Sequence, residues 1–268
     1  MKKILLWLLY SGLLCAQEEN LEQLKAKLKA AKEEQKELKE YISKLEKKIP
    51  PENVWKFHFE IGYMDTTGNT NTRSFNTDIK IQKRWWDKHL FVYIFDGQYS
   101  KDDGEVSKNK YLTELDYNYD FLKTWKTTYV TGYKKDKFSA FEYQFYTGPG
   151  MEYQFFKTKT HAFSMQGNIL YALDKRYDNG LKDDYLSARF KGKYFLQLIE
   201  NLTFDEELSY RTDLQDTQNY FIYSVSKLSL KVYKHFFMNV SYKYDYTNEA
   251  DENEKYDTTF SVNAVVDF

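Results

Sequence analysis

Four histidines, His58, His89, His161 and His235, and one cysteine, Cys15, are all that this 268-residue chain offers of those two residue types. No two histidines stand at a metal-ligand spacing, and one thiol cannot build a sulfur site. His58 is set apart by its neighbours. It falls in Trp55-Lys-Phe-His-Phe-Glu-Ile-Gly-Tyr63, where Lys56, His58 and Glu60 share the polar side. A histidine close to a hydroxyl or carboxylate in an enclosed site can serve as a general base. No spacing in the chain supplies the nucleophile or the orienting acid such a base needs. The expectation is therefore a non-enzymatic protein without metal or cofactor. Two loop pairs, Asp102-Asp103 and Asp183-Asp184, could hold a divalent cation among lipopolysaccharide phosphates, or simply stand solvated.

Most charges lie elsewhere, on the polar faces of alternating segments. Lys56, His58, Glu60, Asp78, Lys80, Arg84, Glu114, Asp116, Glu152, Arg189, Lys191, Lys193, Asp205, Glu207, Arg211, Lys231 and Lys243 all fall there. Inside a closed sheet such side chains have two uses. They line a hydrated pore and set its selectivity, or they pair across strands and fill the interior, since an unpaired buried charge is expensive. A narrow, largely obstructed lumen is the expectation, because about twelve strands lie between a filled eight-strand barrel and a sixteen-strand channel.

The elements that must position these residues are strands. Period-two alternation marks segments at 55–64, 73–85, 90–99, 110–120, 126–135, 142–156, 161–173, 185–196, 202–212, 220–233, 236–246 and 256–268. One of the cleanest sets Tyr111, Thr113, Leu115, Tyr117 and Tyr119 against Glu114, Asp116, Asn118 and Asp120. The segments at 90–99 and 220–233 do not show their facing. The fold class expected is all-β: a 12-stranded antiparallel transmembrane β-barrel over 55–268, preceded by a periplasmic coiled-coil helix. A mean hydropathy of −0.74 does not oppose this, because barrel strands bury alternate residues only. The 25 Tyr and 20 Phe suit a membrane boundary, and with only three Pro a continuous ladder is possible.

Connection lengths orient the barrel. Short ones at 86–89, 121–125, 157–160, 197–201 and 234–235 read as periplasmic turns. Longer polar ones at 66–72, 100–109, 135–141, 174–184, 213–219 and 247–255 read as outer loops. Trp55, Trp85, Trp86 and Trp125 then gather at the periplasmic rim. In the last segment Thr258, Phe260, Val262, Ala264, Val266 and Phe268 face lipid. Its closing aromatic, Phe268, resembles the signal read by the barrel-assembly machinery.

Two further segments precede the strands. Residues 1–16 have Lys2 and Lys3, a short apolar run and Ala16, the pattern of a secretory signal, with lipidation of Cys15 as the alternative to cleavage after Ala16. Over 17–49, Leu21, Leu24, Leu28, Leu38, Ile42, Leu45 and Ile49 recur at heptad spacing among Lys and Glu, with Gln35 also in the seam. That stripe predicts a coiled coil joining copies of the chain, with a charged spacer or a lumenal plug as alternatives. The Pro-containing linker 50–54 ends it.

Three motifs add a family likeness. Gly68-Asn-Thr-Asn-Thr-Arg-Ser74, Asp136-Lys-Phe-Ser139 and Tyr146-Thr-Gly-Pro-Gly150 resemble the YdiY-like family, described as salt-induced outer-membrane proteins of unknown function. The likeness covers roughly 58–268. It implies an outer-membrane barrel and a link to salt stress, and it supplies no substrate or catalytic residue. Pro149 departs from the family's Gly-rich strand, and a β-bulge is expected to accommodate it.

Outer-membrane lipid, lipopolysaccharide, the assembly machinery and further copies of the chain are the expected partners. With net charge −1 and no basic tract, nucleic acid is not among them. Envelope integrity or limited solute passage is the leading function. Wall tethering through the helix and a membrane-embedded hydrolase are the alternatives.

Overall fold

The computed structural model describes residues 23, 25–41, 55–66, 71–177, 180–248 and 255–268. The chain divides into two units, Met1–Pro50 and Pro51–Phe268. In the first, residues 25–41 are helical, as a run rich in Ala, Leu, Lys, Glu and Gln favours. Leu28 and Leu38 stand exposed on it at 57% and 58%. The other seam residues, Leu21, Leu24, Ile42, Leu45 and Ile49, lie outside the described residues, as do the expected signal over 1–16 and the linker 50–54. No helix among the described residues is long and apolar enough to cross a membrane.

The second unit has twelve strands among its described residues: β1 (Trp55–Thr66), β2 (Thr72–Trp85), β3 (His89–Asp102), β4 (Glu105–Asp120), β5 (Trp125–Asp136), β6 (Phe141–Lys157), β7 (His161–Arg176), β8 (Lys182–Ile199), β9 (Leu202–Asp213), β10 (Tyr220–Tyr233), β11 (Phe236–Thr247) and β12 (Tyr256–Asp267). Each pairs antiparallel with its neighbours in sequence, and β1 pairs with β12 to close a barrel. Closure leaves no edge and satisfies the ladder within the sheet. The β1–β12 seam is short, running from His58↔Asp267 to Gly62↔Asn263. Phe57 and Phe268 extend it by exchanging backbone hydrogen bonds of 2.9 Å in both directions.

Two local expectations need correction. Residues 100–109 do not form a long loop. β3 and β4 continue to Asp102 and from Glu105, joined by Asp103-Gly104, both at positive φ (48° and 88°). Such a two-residue Asp-Gly turn matches the strand twist, and it was hidden among polar residues that otherwise look like loop. Connections at this end now span 67–71, 103–104, 137–140, 177–181, 214–219 and 248–255. At the opposite, short-turn end they span 86–88, 121–124, 158–160, 200–201 and 234–235. Nor is there a bulge at Pro149. The β6–β7 register runs unshifted from Thr147↔Tyr171 to Gly150↔Asn168, and the irregularities lie instead at Phe141/Tyr143 and Gln154/Phe156. The flanking glycines are the accommodation. A Cβ on Gly148 would stand 2.2 Å from the Ile169 carbonyl oxygen, and one on Gly150 would stand 2.3 Å from that of Gly167, so β7 packs where side chains would otherwise be.

The outward face is apolar. Phe59, Ile61, Leu115, Met165, Ile169, Phe190, Leu208, Met238 and Phe260 are all exposed there. Aromatic stacks bound this band. Trp55, Phe57 and Phe59 stack near the short turns, with the Lys83 ammonium 4.5 Å from the Trp55 ring centroid. Tyr111–Tyr133–Tyr143 and Tyr210–Tyr220–Tyr246 stack toward the other end. An apolar band between two aromatic girdles is the surface a lipid bilayer covers. Glu206 interrupts it, accepting hydrogen bonds from Ser224 (2.8 Å) and Ser226.

Candidate functional site: the barrel interior

Strand alternation sends one side chain in two to the inside, and closure turns that row into a shared interior. Three groups of charges meet there. The first lies toward the longer connections. Lys134 on β5 contacts Asp245 on β11 at 2.6 Å. Five strands separate β5 from β11 in either direction around the ring, so this pair crosses the barrel from wall to opposite wall. Lys110 on β4 joins it, 3.5 Å from Asp245 and 2.6 Å from Asp257 on β12, and Lys108 holds Asp257 at 2.8 Å.

The second group is built on Glu114 of β4. Its carboxylate takes Arg189 at 2.8 Å and Lys191 at 3.1 Å, both from β8, and a hydrogen bond of 2.6 Å from the Tyr146 hydroxyl of β6. Lys191 is held on its other side by Glu207 of β9 at 3.1 Å. The guanidinium groups of Arg189 and Arg211 lie 5.5 and 5.2 Å from the Tyr146 ring centroid. Tyr146 can lie there because Gly132 leaves the space; a Cβ on Gly132 would come within 2.2 Å of the ring. Beside this group, buried Val130, Leu170, Ala172 and Tyr185 fill the β5–β8 side with apolar material.

The third group joins β1, β2 and β3 to β10 and β11. Lys227 contacts Glu60 at 2.8 Å and Asp78 at 3.2 Å; Lys243 contacts Asp78 at 3.0 Å and Asp96 at 2.6 Å. The Tyr223 hydroxyl donates to Asp96 at 3.2 Å. Buried ion pairs hold only where geometry is close and further hydrogen bonds satisfy the remaining atoms, and each group here meets that condition.

His58 belongs to the closure seam. Its Nδ1 lies 2.6 Å from the Asp267 carboxylate and its Nε2 3.4 Å from Glu60. With both ring nitrogens turned to carboxylates, neither is left to take a proton from a substrate. Glu60 also accepts from Asn263 at 2.7 Å, so these side chains reinforce the shortest strand pairing of the barrel.

The remaining residues singled out in the sequence fall into place around these groups. Glu152 pairs with neighbouring Lys126 at 2.6 Å and more distantly with Lys193 at 3.9 Å. Asp116 is buried, with one carboxylate oxygen lacking a hydrogen-bond partner. Arg84 turns along the rim to Asp120 at 2.7 Å. Lys56, Lys80, Lys231 and Asp205 line a cavity of about 1030 Å³ and form no ion pair among the described residues. That cavity reaches Lys234, His235 and Phe268 at the short-turn end and runs up to Lys134 and Asp245. Asp102 accepts from the Thr72 hydroxyl (2.7 Å) of its cross-strand partner and Asp103 from the Asn71 amide (2.9 Å), while Asp183 and Asp184, expected in a loop, lie on β8 opposite Asp174 and Leu173. No cluster of three or more potential metal ligands occurs among the described residues.

Sequence reasoning missed Lys110, Lys134, Asp245, Asp96, Lys227, Tyr146 and Tyr223. Lys110 and Asp245 sat in plain view, an even number of residues from Glu114 and Lys243. Asp96, Lys227 and Tyr223 were hidden in the two strands whose alternation is broken by inward Val92, Ile94 and Val225.

No curated protein matches the chain. Among solved structures it is similar to the NanC porin, at 12% identity over 80% of this chain and 99% of that one, with a TM-score of 0.49. An outer-membrane channel from Pseudomonas putida F1 matches at 7% identity, 80% and 94% coverage and a TM-score of 0.49. The translocator domain of autotransporter NalP from Neisseria meningitidis matches at 11% identity, 88% and 96% coverage and a TM-score of 0.45. A family model decides the kinship, matching residues 59–268 across all twelve strands and the first-loop Gly68–Ser74 motif: the chain belongs to the family described as protein of unknown function, DUF481.

Proposed function

We propose that this protein is a non-enzymatic outer-membrane barrel whose lumen is closed by its own ion pairs, serving envelope integrity and at most limited solute passage. The observation that carries this reading is the Lys134–Asp245 contact across the barrel, extended sideways by Lys110 and Asp257. An open porin keeps its charges along the wall and water on the axis. Here the charges meet each other. The apolar outer band between aromatic girdles supports the membrane assignment, and the short turns support a periplasmic placement of the start of β1 and the end of β12. Liposome swelling tests the reading. Vesicles carrying the folded protein should swell in arabinose no faster than empty vesicles. Porin-like swelling would overturn it.

A second, compatible reading concerns the helix. Leu28 and Leu38 are exposed ten residues apart on the segment 25–41, and a stripe of that kind is covered when parallel helices pair. We propose that copies of the chain associate through it in the periplasm. Cross-linking in native membranes should give dimers or trimers, and the double variant Leu28→Lys with Ile42→Lys should give monomers while the barrel stays folded. Monomers for both proteins would exclude the pairing.

A further inference from the structure

The interior cavity runs from the Lys134–Asp245 contact to the short-turn end, and its lysines differ along that length. Toward the longer connections and at mid-depth Lys110, Lys134, Lys191, Lys227 and Lys243 each meet a carboxylate. Toward the short-turn end Lys80 on β2, Lys56 on β1 and Lys231 on β10 project into the space without an ion pair among the described residues, and Lys193 on β8 has only Glu152 at 3.9 Å. β2 and β8 are diametrically opposed in the ring, so Lys80 and Lys193 approach the space from opposite walls. Lys80 lies within electrostatic reach of Lys193, Lys227, Asp205 and Glu207. Two of those four are already engaged, because Lys227 holds Glu60 and Asp78 while Glu207 holds Lys191. The carboxylate left over is Asp205, which has no ion pair of its own. Lys56, Lys80, Lys231 and, at the mouth, Lys234 thus stand without an ion pair among the described residues, with Lys193 weakly held, against Asp205 in the cavity and buried Asp116 within electrostatic reach of Lys193.

Low-dielectric walls concentrate the field of such an excess, and a confined cationic space holds counter-ions. We propose that this half of the lumen is a binding cup for a soluble multivalent anion bearing carboxylate or phosphate groups, held by Lys80 and Lys193 from opposite walls with Lys56 and Lys231 toward the mouth. Lysines suit the task, being compact charges on flexible stems that adjust to either group. The whole cavity measures about 1030 Å³, so its short-turn part admits a molecule of a few such groups. A lipid headgroup is a poor occupant, because the space is walled by the sheet and reached only along the barrel axis. The proposal rests on the closed-barrel reading above, and it adds the chemistry of what the cup takes.

Titration calorimetry on the full-length, detergent-solubilised protein tests it, with tripolyphosphate and citrate as probes at low salt. Either probe should bind saturably at one site per chain, and raffinose, a neutral sugar of comparable size, should not. Lys80→Gln should weaken binding by roughly tenfold or more, as loss of a close charge contact does. Lys80→Arg should retain binding, and Lys123→Gln, at an exposed turn of the same end, should leave it unchanged. Affinity should fall as sodium chloride is raised. The same samples, run on gels with and without boiling, report the state of the barrel. A heat-shifting, folded protein that binds neither probe overturns the anion cup and leaves the barrel reading standing. Equal weakening by Lys80→Gln and Lys123→Gln overturns it also. Loss of the heat shift in the wild type overturns both.

Discussion

Glu114 is the residue whose removal the interior should tolerate least. Its side chain is 3% exposed, Arg189 is 3% exposed and Lys191 is 6% exposed. Consider Glu114→Ala. Lys191 keeps Glu207 at 3.1 Å, so its charge stays compensated. Arg189 keeps the Asn168 side-chain oxygen, at 3.2–3.4 Å, the face of Tyr146 and the charge of Asp116, with which it forms no ion pair. The main cost is thus one buried charge without its counter-charge, about 3–5 kcal/mol. The Tyr146 hydroxyl loses its acceptor, which adds about 1–3 kcal/mol unless water enters. A total of about 5 kcal/mol is expected, against ~1 kcal/mol or less for a wall pair such as Arg84–Asp120 at the rim. Urea unfolding in detergent micelles, followed by the gel shift between folded and unfolded forms, measures both. The double variant Glu114→Ala with Arg189→Met should recover much of the loss, because the stranded charge goes with it. A Glu114→Ala midpoint matching that of Asp120→Ala would refute the view that this carboxylate anchors the interior.

Other outcomes follow from particular contacts. Gly148→Ala would force a Cβ to within 2.2 Å of the Ile169 carbonyl oxygen, so β6 and β7 must separate, at about 1–3 kcal/mol in the same unfolding assay. Phe268→Lys places a charge on the outward face where Phe268 stacks on His235 with ring centroids 5.4 Å apart. The variant should reach the outer membrane poorly and leave degraded periplasmic protein, as membrane fractionation and immunoblotting would show.

The architecture was legible in the sequence because a strand that buries one face must alternate, and alternation needs no tertiary information to be seen. Tyr111 to Asp120 and Tyr256 to Phe268 show this plainly. The Asp103-Gly104 turn was missed because polar strand ends and polar loops share a composition, and only the dipeptide marks the turn. The bulge expected at Pro149 failed for a related reason. Proline was weighed as a missing donor, while the decisive feature is the closeness of the β7 backbone to Gly148 and Gly150.

The interior was legible as a set of residues and not as a set of partners. Period two says that Glu114 and Arg189 both face inward. It says nothing of which strands oppose each other or how far up each strand a residue sits, and those decide that Glu114 meets Arg189 and Lys134 meets Asp245. Tyr146 illustrates the same limit. Its place over Gly132 depends on the β5–β6 register, which pairs the two residues. His58 shows it too: the sequence puts it on the inward face beside Glu60, and only the closure of β1 on β12 brings Asp267 to its other ring nitrogen.

On the proposed reading, ion pairs across the barrel, and not a plug or a narrow wall, close the lumen. Single-channel recording in planar bilayers tests it most directly, comparing the wild type with Lys134→Ala combined with Asp245→Ala. Removing both partners together leaves no stranded charge between them and takes away the contact that crosses the barrel. The wild type should show no steady openings, and the double variant, still heat-modifiable on gels, should conduct. A wild type that conducts as an open porin, or a folded double variant as silent as the wild type, would contradict that reading.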